Sequence, residues 1–303
     1  MNTTARAGRT AALLLSPTFL VLALVVGYPL LAALRESLHR SGDELDESGF
    51  IVSGDRFVGL DNYADAVGAA RFWTAFANTT VFTLVTVAIE VVLGTAMAVV
   101  MHRAMRGRGL VRASILVPWA IPTAVSGLLW RWIFQADGVA NTLLGTDLLW
   151  TSDGWPAKIA VIVADSWKTA PFVGLLVLAG LQLIPNDVYE AARLDGASAW
   201  QQFRRVTLPL VKPALLVAVL FRLLDALRMF DLPFVLVGPQ KGAVETLSML
   251  AWNEANQVRY GPAAAYSVIL FLYVVVIAFV FVKLLGADLL GERRARRRSE
   301  VSA

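Results

Sequence analysis

The chain has 303 residues, 57% of them hydrophobic, with a formal net charge of +4 and a mean hydropathy of +0.63. That is too apolar for a typical soluble protein. Cysteine is absent and only His39 and His102 occur, so no disulfide framework or thiolate metal site exists and a histidine triad has almost no material. No G-x-x-x-x-G-K-[ST] phosphate loop occurs, so the chain is not itself a P-loop ATPase. The basic residues lack an interleaved aromatic patch and read as contacts to membrane lipid, not to nucleic acid.

Six apolar stretches, at about 20 residues or more each, predict an all-α membrane protein with six transmembrane helices. They lie near Ala11–Leu34, Phe76–Met101, Leu110–Phe134, Ala157–Ile184, Pro213–Gly238 and Pro262–Leu285. The first follows Arg6 and Arg9, but its run of about 24 residues exceeds the roughly 7–15 of a signal-peptide core, so it reads as a retained span.

Residues 35–75 form an acidic loop with Asp43, Glu44, Asp46, Glu47, Asp55, Asp61 and Asp65. The loop tightens into Phe57-Val58-Gly59-Leu60-Asp61-Asn62-Tyr63. There Gly59 supplies a turn, and Phe57, Leu60 and Tyr63 form a face suited to the membrane surface. Glu90 in the second span reads as a helix-packing or partner-pairing acid. Arg103, Arg106, Arg108 and Arg112 follow with no acid among them. The third span ends in Trp130, Arg131 and Trp132, which read as an interfacial aromatic belt. Asp137, Asp147 and Asp153 come next, with no Lys or Arg before Lys158. A basic tail, residues 287–303, holds Arg293, Arg294, Arg296, Arg297 and Arg298. This asymmetry predicts both termini and the loop around Glu190 on the cytoplasmic side, with 35–75 outside.

The fifth span carries Arg222, Asp225, Arg228 and Asp231. Eleven Leu, Val and Phe residues between 216 and 234 contribute about −0.5 kcal/mol each to insertion, while four charges cost up to about +3 kcal/mol each. The charges win, so this helix must face protein or a water-filled cavity. Spacing of three residues lets opposite charges pair along it. Asp165, Trp167 and Lys168 in the fourth span lie at similar depth, so they can approach Asp225, Arg228, Phe230 and Asp231 near the midplane. Carboxylates and guanidinium groups bond hydroxyls, and aromatic faces stack on sugar rings, so these seven residues are candidate sugar contacts. Packing pairs that hold helices in register are the competing reading.

Between the fourth and fifth spans, Glu190-Ala191-Ala192-Arg193-Leu194-Asp195-Gly196-Ala197 leads to Phe203, Leu208-Pro209 and Pro213. It spells a short helix, a Gly break, a second amphipathic helix and re-entry at Pro213. Small residues on a polar helix let another backbone approach closely, which makes a docking knob. Residues 186–209 resemble the EAA loop of ABC-importer permeases, whose coupling helix seats in the ATPase subunit. Phe57–Tyr63, Val117-Pro118-Trp119, Asp137-Gly138 with Asn141, Trp167-Lys168-Thr169 and Pro171-Phe172 extend the resemblance to the sugar-type permeases. Trehalose- and maltose-type members look closest, although the maltose permease has extra helices and a large exterior domain that this chain lacks.

The resemblance implies one permease domain, 1–303, in a bacterial inner membrane. The implied partners are a second homologous permease, two ATP-binding subunits and an external solute-binding protein, with a di- or oligosaccharide as cargo. It also implies ATPase coupling through Glu190, Ala191, Ala192, Asp195, Gly196, Ala197, Phe203 and Pro209. ATP and magnesium belong to the ATPases, so this chain needs no cofactor or metal and is not an enzyme. Glycerol-3-phosphate permeases share these loops and stay open as an alternative. An ion-coupled secondary transporter is disfavoured because no inverted pair of interrupted helices is evident, and a membrane enzyme because no catalytic cluster occurs.

Overall fold

A computed structural model of the protein describes residues 3–45, 51–102 and 107–301, with side chains from 12 to 40, 54 to 102, at 107 and from 109 to 284. Asp46, Glu47, Arg103 and Arg106 lie outside the described residues. Among the described residues, five helices are long and apolar enough to cross a membrane: Ala12–Ser37, Ala70–His102, Gly154–Leu181, Ala199–Ala226 and Tyr260–Leu284. Gly109–Ala120 and Thr123–Ile133 make a sixth if their bent pair counts as one span.

Two spans differ from the straight helices expected. The third bends by 92° between its halves. Pro122 has no N–H to continue the helix, and it forces Ile121 into extended backbone at φ −72°, ψ 133°. The fifth does not restart at Pro213, which lies inside Leu208–Ala226. It stops at Ala226 and resumes as Asp231–Leu236. Arg228 and Asp231 therefore leave the row that would have wound around one helix.

π-Helical turns at Ala23–Gly27 and Phe203–Thr207 both precede a Tyr28-Pro29 or Leu208-Pro209 step. In each, the missing proline N–H would have bonded a carbonyl inside that turn, at Val25 or Arg205, so the ladder shifts register there. Pro17 is accommodated differently, because Ser16 Oγ donates to the Leu13 carbonyl at 2.9 Å.

The chain divides into two compact units. The first comprises residues 1–72 and 250–271. The acidic loop in it contains an antiparallel hairpin, His39–Leu45 with Ile51–Phe57, paired His39 to Phe57. Its strands carry almost no apolar alternation, which is why the sequence does not announce them. Gly59 makes the expected turn at φ 57°. Tyr63, however, bonds Ser37 Oγ at 2.6 Å, tying helix Asp61–Gly68 to the end of the first span.

In the second unit, residues 73–249 and 272–303, glycines set the helix spacing. A Cβ on Gly94 would stand 2.7 Å from Val173 Cβ and 2.8 Å from the Ala170 carbonyl, and one on Gly180 would stand 2.6 Å from Ala214 Cβ. Helix Gly154–Leu181 thus packs backbone-close against the second and fifth spans. Ala157, Ala160, Val161 and Ala164 join one apolar core, and Val173, Val177, Leu178 and Leu181 join another. The polar residues 165–169 fall between the two cores.

Candidate functional site

Asp165 lies eleven residues from Gly154, about 17 Å along the helix axis, near mid-membrane. Across from it Arg222 is almost fully enclosed. Its Nε donates to Glu90 Oε2 at 2.5 Å, and its Nη2 donates to Glu90 Oε1 at 2.9 Å and to Asp165 Oδ2 at 3.0 Å. Its Nη1 donates to Asp225, one turn along its own helix. Thr169 Oγ1 donates to Glu90 Oε1 at 2.5 Å. One guanidinium thus ties three carboxylates from three spans. Glu90 has the pairing role expected of it, whereas Asp165 spends its carboxylate partly on Arg222.

Both broken spans meet this network. The break at Ile121 frees its carbonyl from a helical partner, and Lys168 Nζ donates to it at 2.9 Å. Around the second break, the Met229 carbonyl accepts from Thr246 Oγ1 at 2.7 Å and the Leu224 carbonyl from Arg228 Nε at 3.1 Å. Arg228 and Asp231 have no ion pair among the described residues. Between the breaks lies a cavity of about 280 Å³. It is lined by Asp165, Lys168, Arg222, Asp225, Arg228 and Asp231, with Trp119 and Phe230 among its apolar walls. Asp225 keeps 67% of its side chain exposed.

Six of the seven expected midplane residues therefore converge. Trp167 does not line the cavity, because it packs edge-on to Trp130 at 5.6 Å. Trp130 also stacks on Phe134 inside a core, so of the expected aromatic belt only Arg131 and Trp132 lie open. Trp119, missed as a cavity residue, stacks on Phe172 at 5.8 Å and reaches the cavity because the helix ends one residue after it. Its signal was Pro122 three residues on, read only as part of a continuous span.

The second candidate surface is the polar loop. Helix Asn186–Leu194 ends in a Schellman cap, with Ala197 N bonding Ala192 O at 2.9 Å and Gly196 N bonding Arg193 O at 3.0 Å. Gly196 supplies the left-handed residue at φ 75°. Ser198 and Gln201 form a capping box that starts the next helix. Trp200 stacks on Phe203 at 5.6 Å. Leu194 and Trp200 remain 89% and 67% exposed, and Glu190 reaches Arg193 only loosely, at 3.9 Å. Pro209 opens the following helix. The surface is small-residue, apolar-tipped and uncovered by this chain.

Residues 90–290 match the family described as binding-protein-dependent transport system inner membrane component. The chain is 37% identical over 284 residues to the trehalose/maltose transport system permease protein MalF of Thermococcus litoralis, covering 92% of this chain and 94% of that one. It is 41% identical over 282 residues to the trehalose transport system permease protein SugA of Mycobacterium tuberculosis, covering 92% and 89%. A permease chain of a bacterial alginate ABC transporter shares the fold at TM-score 0.77 and 19% identity, over 93% of this chain and 96% of that one. On these matches the chain belongs to the binding-protein-dependent transport-system inner membrane components and is a multi-pass permease of an ABC importer.

Proposed function

We propose that this permease carries a di- or oligosaccharide through the cavity between its broken spans. The carrying observation is the cavity's balance: Asp165, Asp225 and Asp231 face Lys168, Arg222 and Arg228, with aromatic Trp119 and Phe230 beside them. Matched charges suit a neutral polyol better than a phosphate dianion, which would need a surplus of cations. The trehalose and maltose names of the relatives point to the same cargo class. At about 280 Å³ the cavity is at the small end for a ligand site, which supports a second permease closing it from the other side.

In this reading a homologous permease forms a heterodimer with this chain, two ATPases bind ATP and magnesium, and an external protein delivers sugar. The Glu190–Ala197 knob sits in an ATPase and transmits its closure. The spans then tilt to open the cavity outward, and hydrolysis resets them. The chain makes and breaks no covalent bond.

Asp225→Ala is expected to lower uptake at least tenfold, about 1.4 kcal/mol. Arg222 keeps Glu90 and Asp165, so the loss reports sugar contact and not an orphaned charge. Uptake of radiolabelled trehalose and maltose in cells checks this, and unchanged rates would remove Asp225 from the path.

Orientation is tested with single cysteines, which have no native background. An impermeant thiol reagent on intact cells should label Asp147→Cys and spare Arg193→Cys, both exposed positions. Labelling at 193 from outside would put the knob across the membrane from any ATPase.

A further inference from the structure

We infer that Lys168 is a positioning residue for the central cavity: it clamps the bend of the third span and, through the bend, holds the Trp119 wall in place. What the wall does for cargo rests on the sugar reading above.

A buried cation in a membrane helix ordinarily answers a carboxylate. Lys168 is only 8% exposed, yet it makes no ion pair among the described residues. Asp165, one turn before it, is bonded to Arg222. The Lys168 ammonium donates instead to the Ile121 carbonyl at 2.9 Å. Ile121 is the C-cap of helix Arg108–Ala120. Unpaired carbonyls and the negative end of the helix dipole gather at such a terminus, so a cation is favoured there. In an unbroken helix the Ile121 carbonyl would be spent on its own ladder, so this bond belongs to the bent form alone.

Phe172 lies one turn beyond Lys168 on the same helix, and its ring stacks on Trp119 at 5.8 Å. The fourth span therefore grips the break at two points, the Ile121 carbonyl and the ring two residues before it. The other half of the bent span is fastened separately. A Cβ on Gly127 would stand 3.0 Å from Val235 Cβ, so Thr123–Ile133 packs close on helix Asp231–Leu236. With that half fixed, release of Ile121 moves the half that carries Trp119. Trp119 lines the cavity and is 44% exposed. An aromatic ring serves the C–H side of a sugar only while its face is held in one orientation.

The test places Leu110→Cys and Leu128→Cys, exposed positions on the two halves of the span, in this cysteine-free chain within the complete importer. Double electron–electron resonance between spin labels there reads the bend, at about 20 Å for a right angle against about 27 Å for a straight helix. Without sugar, Lys168→Met should lengthen and broaden that distance. Lys168→Arg keeps a donor and should hold it short. Lys168→Gln is one bond too short to reach the carbonyl and should behave as Lys168→Met does, which keeps the test open if the Met variant fails to assemble. In trehalose uptake, Lys168→Met should raise the half-saturating concentration at least fivefold while maximal uptake changes less than twofold. In a Trp119→Ala background the same substitution should raise it less than twofold further, because the ring it acts through is gone. An unchanged distance in both the Met and Gln variants overturns the inference, as do additive effects of the two substitutions, which would make Lys168 a direct sugar contact. Either result leaves the sugar reading standing. Failure of the unsubstituted importer to take up trehalose or maltose overturns the sugar reading instead, and the clamp is then decided by the distance alone.

Discussion

Arg222→Met is expected to destabilise the protein by about 3–5 kcal/mol, the cost of breaking a buried ion pair by removing one partner. Glu90 is 0% exposed, and among the described residues its carboxylate is met, apart from Arg222, only by Thr169. Asp165 would lose the same cation, and Lys168 is already held at the Ile121 carbonyl. Thermal unfolding of the detergent-extracted importer checks the effect. The midpoint should fall well below wild type, and adding Glu90→Gln should recover part of it by removing the orphaned charge. A midpoint unchanged in Arg222→Met would mean the network does not hold the three spans together. Such a network is not an efficient source of stability, since well-packed apolar residues would serve as well. Its presence between two apolar cores fits a joint whose spans must move past one another.

Hydropathy alone located the five helices long enough to cross a membrane and the bent pair that would make a sixth, because about 20 consecutive apolar residues have few alternatives. The shape of the Glu190–Ala197 loop, a helix, a Gly break and a second helix, was equally legible, since Gly196 and Ser198 are local signals whose bonds close within five residues. The breaks at Ile121 and Ala226 were not. Pro122 was visible, but proline bends some membrane helices and is absorbed by others, as Pro213 and Pro171 show within this chain. Whether a proline bends or breaks a span depends on what receives the freed carbonyl. Here that is Lys168, 47 residues away. Trp119 and Trp167 exchanged roles for the same reason: in a straight span Trp119 stays in the helix interior, and only the bend turns it to the cavity. The hairpin in the acidic loop lay beyond reach because its pairing joins Gly42 to Gly54 and Ser41 to Asp55, not apolar partners.

Gly196→Arg is expected to abolish uptake while leaving the protein in the membrane at normal levels. Two effects are mixed in that substitution, and the geometry separates them. At φ 75° any side chain strains the backbone, at roughly 1–2 kcal/mol. Space is not limiting, since among the described residues nothing beyond its chain neighbours lies within 4 Å of where a Cβ would sit. Gly196→Ala therefore carries the strain without the bulk, and it should keep most of the uptake. Arginine adds a long cation to the small-residue surface of Ala191, Ala192 and Ala197, where the proposed coupling needs an ATPase to approach closely. Purified complexes should show the ATPase lost or uncoupled from sugar delivery in the arginine variant alone. Equal impairment by alanine and arginine would assign the whole effect to the Schellman turn and remove the loop from the coupling interface. Normal uptake with arginine would do so more directly, because no close-packed contact at residue 196 could admit it.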